Sequence, residues 1–165
     1  IHITGPYHEQ IVRIVKAPCY LGLPTTFGDK INQYSVTVIE PAEVCFIDID
    51  AFRYLLKANH FFSYEILMEV CNNELEVFRR CANRTQKQMR GKIADVLIEL
   101  SERIYNSNIF KIPLTQEDLG NLVDSSRESI SRVLTEFEKD GIIRISGKKI
   151  EILNKKSLLI ISANG

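Results

Sequence analysis

The sequence predicts an α+β chain, on three observations. Short runs of alternating apolar residues occupy the front of the chain. From residue 63 a helical pattern runs without proline or glycine until Gly91. Residues 114–149 (LTQEDLGNLVDSSRESISRVLTEFEKDGIIRISGKK) then read as two short helices, a tight turn between them, and a β-hairpin.

At the front, residues 10–16 (QIVRIVK) alternate as a strand does, and Ala17-Pro18 breaks them. Gly22 marks a turn. Residues 35–39 (SVTVI) and 44–49 (VCFIDI) read as two further strands separated by Glu40-Pro41-Ala42-Glu43. Short antiparallel strands with such turns predict a small β-barrel or jelly roll over 1–62. In the long helix, Cys71, Leu75, Phe78, Ala82, Thr85 and Met89 step by fours and threes, the spacing of a heptad seam. That seam predicts a dimerisation helix over 63–87, and a two-fold dimer suits a palindromic ligand. Lys87-Gln88 is the expected hinge into an 88–165 domain. There a second helix buries Ile93, Val96, Leu97, Leu100 and Ile104, and residues 109–114 read as a short strand.

In the helix pair, Thr115 suits an N-cap, with Glu117 and Asp118 in the first turn. Leu119, Leu122 and Val123 face inward. Gly120, mid-helix, implies a close approach by the next helix. Asp124, Ser125 and Ser126 end this helix, and Ser125 with Glu128 fits a capping box for the next. Ile130, Val133, Leu134 and Phe137 form the inner stripe of that second helix. Arg127, Glu128, Ser129 and Arg132 stay outside, near its start. Gly141 suits the stop, Ser146-Gly147 the hairpin turn, and Lys148 and Lys149 the tip. Arginine and glutamate at the exposed start of a second helix are residue types that read base edges in a major groove. The arrangement is a winged helix-turn-helix.

The stretch SSRESISRVLTEFEKDGIIRISGKKI resembles the cyclic-AMP receptor protein and fumarate-nitrate regulator (CRP/FNR) family of bacterial transcription factors. The resemblance implies base reading by Arg127, Glu128 and Arg132. It implies phosphate contacts by Gln116, Ser126, Ser129 and Lys148, and a half-site closer to TGTGA than to TTGAT. It also implies double-stranded DNA, a second copy of the chain and RNA polymerase as partners, in the cytoplasm. The front strands would be the end of a cyclic-nucleotide-binding-like β-roll that senses an effector, with Gly22, Leu23, Tyr34 and Ser35 at its pocket. There the chain departs from the family. Leu23 stands where a glutamate meets the ribose, and Tyr34 where an arginine meets the cyclic phosphate. Cyclic AMP is therefore not expected to bind in the usual way, because leucine accepts no hydrogen bond and tyrosine neutralises no anion.

Other chemistry is thinly supported. Cys19, Cys45, Cys71 and Cys81 lack C-x-x-C spacing and read as free, mostly buried thiols, so no metal site is assigned. An iron–sulfur sensor with ligands upstream stays open, since Ile1 rather than methionine points to earlier sequence. His2, His8 and His60 are scattered, and haem ligation by one of them stays open as well. A net charge of zero argues against a nonspecific nucleic-acid coat and suits local positive charge. No catalytic constellation, signal peptide or apolar run of membrane-spanning length is visible. A winged-helix protein-interaction module and a cyclic-nucleotide-controlled enzyme subunit are the competing readings, and the chain leaves no room for a catalytic domain after the wing.

Overall fold

A computed structural model describes residues 1–5, 9–28 and 31–165. The chain divides into two compact units, Ile1–Glu40 with Lys87–Gly165, and Pro41–Gln86. At the front of the first unit, β1 (His2–Thr4) pairs antiparallel with β2 (Glu9–Ile11), His2 opposite Ile11. A five-residue helix, α1 (Leu23–Phe27), follows.

The strand reading of the front is only partly met. Of residues 10–16, only Gln10 and Ile11 are in a strand. Residues 35–39 form a single bridge, Ser35 to His2, and 44–48 are irregular. Ile49 already begins a helix. A strand is stable only where its backbone groups find partners, and the described residues supply none for these runs beyond that bridge. Their apolar side chains stand exposed, Phe46 at 97%. The cysteines are free, as expected, but not mostly buried. Cys19 is half-buried and Cys45, Cys71 and Cys81 are exposed. His2 is engaged locally, through Nδ1 with Glu9 and Nε2 with Thr37 Oγ1 at 2.9 Å. His60 is exposed, and His8 lies outside the described residues.

The second unit is a helical pair. Asp48 caps α2 (Ile49–Ala58) by accepting from the Ala51 amide at 2.8 Å. Asn59 accepts from the Phe62 amide at 3.0 Å, so α3 (His60–Gln86) starts three residues before the expected Ser63. Phe52 and Phe62 meet edge to face at 5.4 Å. Along α3, Cys71, Leu75, Phe78, Ala82 and Thr85 are all exposed, Leu75 at 59% and Phe78 at 61%. The seam also extends backward in the same rhythm through Met68, Tyr64 and Phe61, which the sequence reading missed. Forward it is shorter than expected. Gln88 is extended (ψ 169°), so Met89 belongs to a new helix in the other unit and packs on that unit's core.

That new helix, α4 (Met89–Glu99), runs into one π-type turn, Leu100–Ile104, in which the Tyr105 amide reaches back to the Leu100 carbonyl at 2.9 Å. Ile93, Val96, Leu97 and Leu100 are buried, and Ile104 packs at the margin. β3 (Ile109–Lys111) is shorter than the predicted 109–114 strand. After it come α5 (Gln116–Val123), α6 (Arg127–Lys139), β4 (Ile143–Ser146) and β5 (Lys149–Ile152). The sheet is antiparallel in the order β3-β5-β4, with Phe110 opposite Ile150 and Ile143 opposite Ile152. The last residues form a helix that no sequence signal was used to predict. In α7 (Lys155–Asn164), Asn154 accepts from the Ser157 amide at 3.0 Å, and fully buried Leu158 faces the core. Asp95 of α4 binds Lys87 at 2.7 Å and the Ser162 hydroxyl of α7, which joins the start of α4 to the end of the chain.

Gly120 is required by packing, as expected, but its neighbour is the turn and not the next helix. A Cβ there would lie 2.5 Å from the backbone oxygen of Ser125. Gly120→Ala should therefore lower the unfolding free energy by about 1–3 kcal/mol despite alanine's better helix propensity. Urea denaturation would measure it, and unchanged stability would show that the turn can move aside.

Candidate nucleic-acid interface

The helix-turn-helix is set by a chain of local hydrogen bonds. Thr115 Oγ1 accepts from the Asp118 amide at 3.0 Å, and Asp118 Oδ2 accepts from the Thr115 amide at 2.8 Å. This is a complete capping box at the start of α5. Asp124 ends α5 in the left-handed region (φ 59°), and the Ser125 amide returns to the Gly120 carbonyl at 3.0 Å. Aspartate tolerates that conformation better than most side chains.

The cap of α6 sits one residue later than the Ser125–Glu128 pairing suggests. Ser126 is the N-cap, and its hydroxyl oxygen accepts from the Ser129 amide at 3.3 Å. Ser126 is the residue with the extended backbone (φ −77°, ψ 152°) that an N-cap takes, while the Ser125 amide still belongs to the end of α5. The far end of α6 carries a full Schellman stop. The Ile142 amide bonds the Phe137 carbonyl at 2.9 Å, and the Gly141 amide bonds Glu138 at 3.0 Å with φ +67°. Between these stops Ile130, Val133, Leu134 and Phe137 are buried, as the spacing predicts.

The outer face of α6 is thereby fixed. Arg127, Glu128 and Arg132 are exposed near its N-terminus. None of the three forms a hydrogen bond or ion pair among the described residues, in contrast to Arg90 and Arg144. They line one open groove with Gln116, Ser131, Thr135, Glu136 and Lys139. Ser131, Thr135, Glu136 and Lys139 were not singled out from the sequence. Helical spacing was the available signal: Ser131, Thr135 and Lys139 follow Arg127 by four, eight and twelve residues, and Glu136 follows Arg132 by four. Ser126 and Ser129 are occupied with each other, hydroxyl to hydroxyl at 3.1 Å, as well as with the cap.

The wing follows directly. Its turn is Gly147-Lys148, one residue on from the expected Ser146-Gly147, because Ser146 pairs with Lys149. Gly147 takes φ +60°, and Lys148 is exposed at the tip. Glu138 of α6 accepts from the Ile145 amide at 2.8 Å, which ties the hairpin to the helix. At the front, the Gly22 amide donates to the Tyr34 hydroxyl at 2.8 Å, Leu23 opens α1, and exposed Ser35 bridges to His2. Gly22 and Tyr34 thus meet each other. Among the described residues no cluster of His, Cys, Asp and Glu could hold a metal ion, and no helix is long and apolar enough to cross a membrane.

Ser126→Ala removes the α6 cap and should cost about 1 kcal/mol. Amide exchange should rise first at Glu128 and Ser129. Unchanged exchange there would mean that another group takes over the cap.

A family model for a Crp-like helix-turn-helix domain matches residues 91–160. The transcriptional activator protein FnrA of Stutzerimonas stutzeri is 26% identical over 97% of this chain and 67% of its own length. The fumarate and nitrate reduction regulatory protein of Vibrio cholerae is 25% identical over 95% of this chain and 64% of its own length. The fold resembles that of FixK2 from Bradyrhizobium japonicum, with a TM-score of 0.66 at 17% identity over 70% of this chain and 59% of that one. The chain thus spans about two-thirds of these curated relatives. Residues 91–160 thus match a Crp-like helix-turn-helix domain, and the chain as a whole is similar to transcriptional regulators of the CRP/FNR type.

Proposed function

We propose that the protein is a homodimeric, sequence-specific DNA-binding transcriptional regulator. The observation that carries this reading is the exposed set Arg127, Glu128 and Arg132, without side-chain partners among the described residues, on the outer face of a helix whose rotation is locked by its core. Guanidinium and carboxylate groups free of internal partners are available to guanine and cytosine edges. Gln116, Ser126 and Ser129 border them, and Lys148, exposed at the wing tip, is the candidate for a phosphate contact from the hairpin. In this reading residues 88–165 bind DNA and residues 63–87 dimerise. Residues 1–62 belong to a sensor whose effector, not cyclic AMP in its usual mode, shifts the two reading helices relative to a palindromic, TGTGA-like site. The setting is the cytoplasm, RNA polymerase is the partner on the promoter, and no chemical reaction is catalysed.

The dimer part rests on α3. Cys71 lies at a d-type position of the exposed seam, where two parallel helices would bring equivalent residues face to face. Mild oxidation of the full chain should then give a disulfide-linked dimer that Cys71→Ser abolishes and Cys81→Ser does not. Cross-linking that survives Cys71→Ser would place the seam elsewhere.

The DNA part is tested by selecting duplexes from a random pool and measuring affinity by fluorescence anisotropy. A palindrome of TGTGA-like half-sites is expected, and TTGAT half-sites would overturn that specificity. Arg127→Ala should cost about 1–3 kcal/mol and relax the preference at one guanine. Lys148→Ala should weaken all duplexes alike and lower the salt slope by about 1. Equal loss on every sequence from Arg127→Ala would remove its base-reading role. Absence of any selected sequence, with salt-independent binding to a protein instead, would favour a protein-interaction module.

A further inference from the structure

Arg90 sits in the first turn of α4, outside the groove. Its two terminal nitrogens reach different carboxylates of α6: Nη1 to Glu136 Oε2 at 2.7 Å, and Nη2 to Asp140 Oδ2 at 2.7 Å. Its guanidinium carbon lies 5.0 Å over the ring of Phe137, the residue between them. One side chain therefore spans a full turn of the second helix and stacks on its core residue. The location is electrostatically awkward without it. The end of α6 gathers Glu136, Glu138 and Asp140 around one cation of its own, Lys139, at the pole of the helix dipole that already disfavours negative charge. Glu138 is used on the wing, at the Ile145 amide. Glu136 lines the same groove as Arg127 and Arg132. A bare carboxylate there would face approaching phosphates.

We propose that Arg90 is a charge-masking residue for DNA reading, one that neutralises the Glu136 carboxylate where it borders the groove and holds Asp140 beside it. This rests on the DNA-binding reading above. It gives a residue far from the groove in sequence, and without contact to a base, a direct influence on affinity. Lysine would not replace it fully, because a point charge cannot bridge two carboxylates in a fixed plane.

The test uses the full chain and the duplex selected by the unmutated protein. Arg90→Met should weaken binding about tenfold, with the loss largest at low salt. Arg90→Met combined with Glu136→Gln and Asp140→Asn should recover most of that affinity, although its melting temperature stays as low as that of Arg90→Met. A merely structural role would make affinity follow stability, and the triple variant would remain weak. That result, or unchanged binding by Arg90→Met, overturns the proposal. Should Arg90→Met fail to fold, Glu136→Gln with Asp140→Asn on unmutated Arg90 should bind at least as tightly as the parent, and a tenfold loss overturns it. If the unmutated chain selects no duplex, the DNA reading itself has failed. If it selects one and only the Arg90 variants disagree, this inference alone falls.

Discussion

Phe137 and Ile130 are fully buried, and with Val133 and Leu134 they lock the rotation of α6 about its own axis. A helix has one rotational freedom that backbone hydrogen bonds do not control. Here the fit of four apolar side chains among α4, α5 and the wing controls it. Burying such a set is worth several kcal/mol in total, at roughly 25 cal/mol per Å² of apolar surface. Turning α6 by one residue would move the stripe out of the core and Arg127 or Glu128 into it. An unpaired charge inside costs far more than the surface charges gain from each other. The outward direction of Arg127, Glu128 and Arg132 is therefore a consequence of the core, and it exists before any ligand arrives.

Charge is distributed by the same logic. The chain has no net charge, yet its cations are not equally committed. Arg80, Arg90, Arg144, Lys87 and Lys155 are held by carboxylates. Arg127 and Arg132 have no such partner among the described residues. Ion pairs at a surface add little to stability, but they decide which cations remain to meet an anionic partner. A neutral composition can in this way carry a positive reading face.

The helix-turn-helix was legible because its signals are local. Thr115 with Asp118, Gly141 in its stop, and the stripe of α6 each act within a few residues, and each lies where the spacing puts it. The one-residue shifts lie at Ser126 and at the wing turn, where Ser146 still pairs with Lys149. The Ser125 amide still closes α5, and the extended backbone of an N-cap begins only at Ser126. The strands read at 35–39 and 44–49 depend instead on distant partners, which alternation cannot reveal. The end of α3 is also a matter of one backbone angle, at Gln88, and the heptad spacing runs across it unchanged. The final helix went unread because LLIIS is apolar on all sides, and only its packing on α4 gives it a face. Among the candidate site residues, the first turn of α6 could be read from the sequence. The groove's far wall follows the same helical spacing, but its link to Arg90 could not be read, because a separation of 46 residues leaves no pattern.

The sheet order β3-β5-β4 has a topological consequence. β3 precedes the helix pair and β5 follows it, and the two are adjacent strands, with buried Phe110 against buried Ile150. The helix pair is thus an excursion whose entrance and exit are stitched together, and the hairpin is part of the stitch. A long ligand that meets α6 finds Lys148 already at a set distance, with no slack chain to be ordered. Engagement of helix and wing is then one event with a high effective concentration for the second contact, not two binding steps joined by a tether.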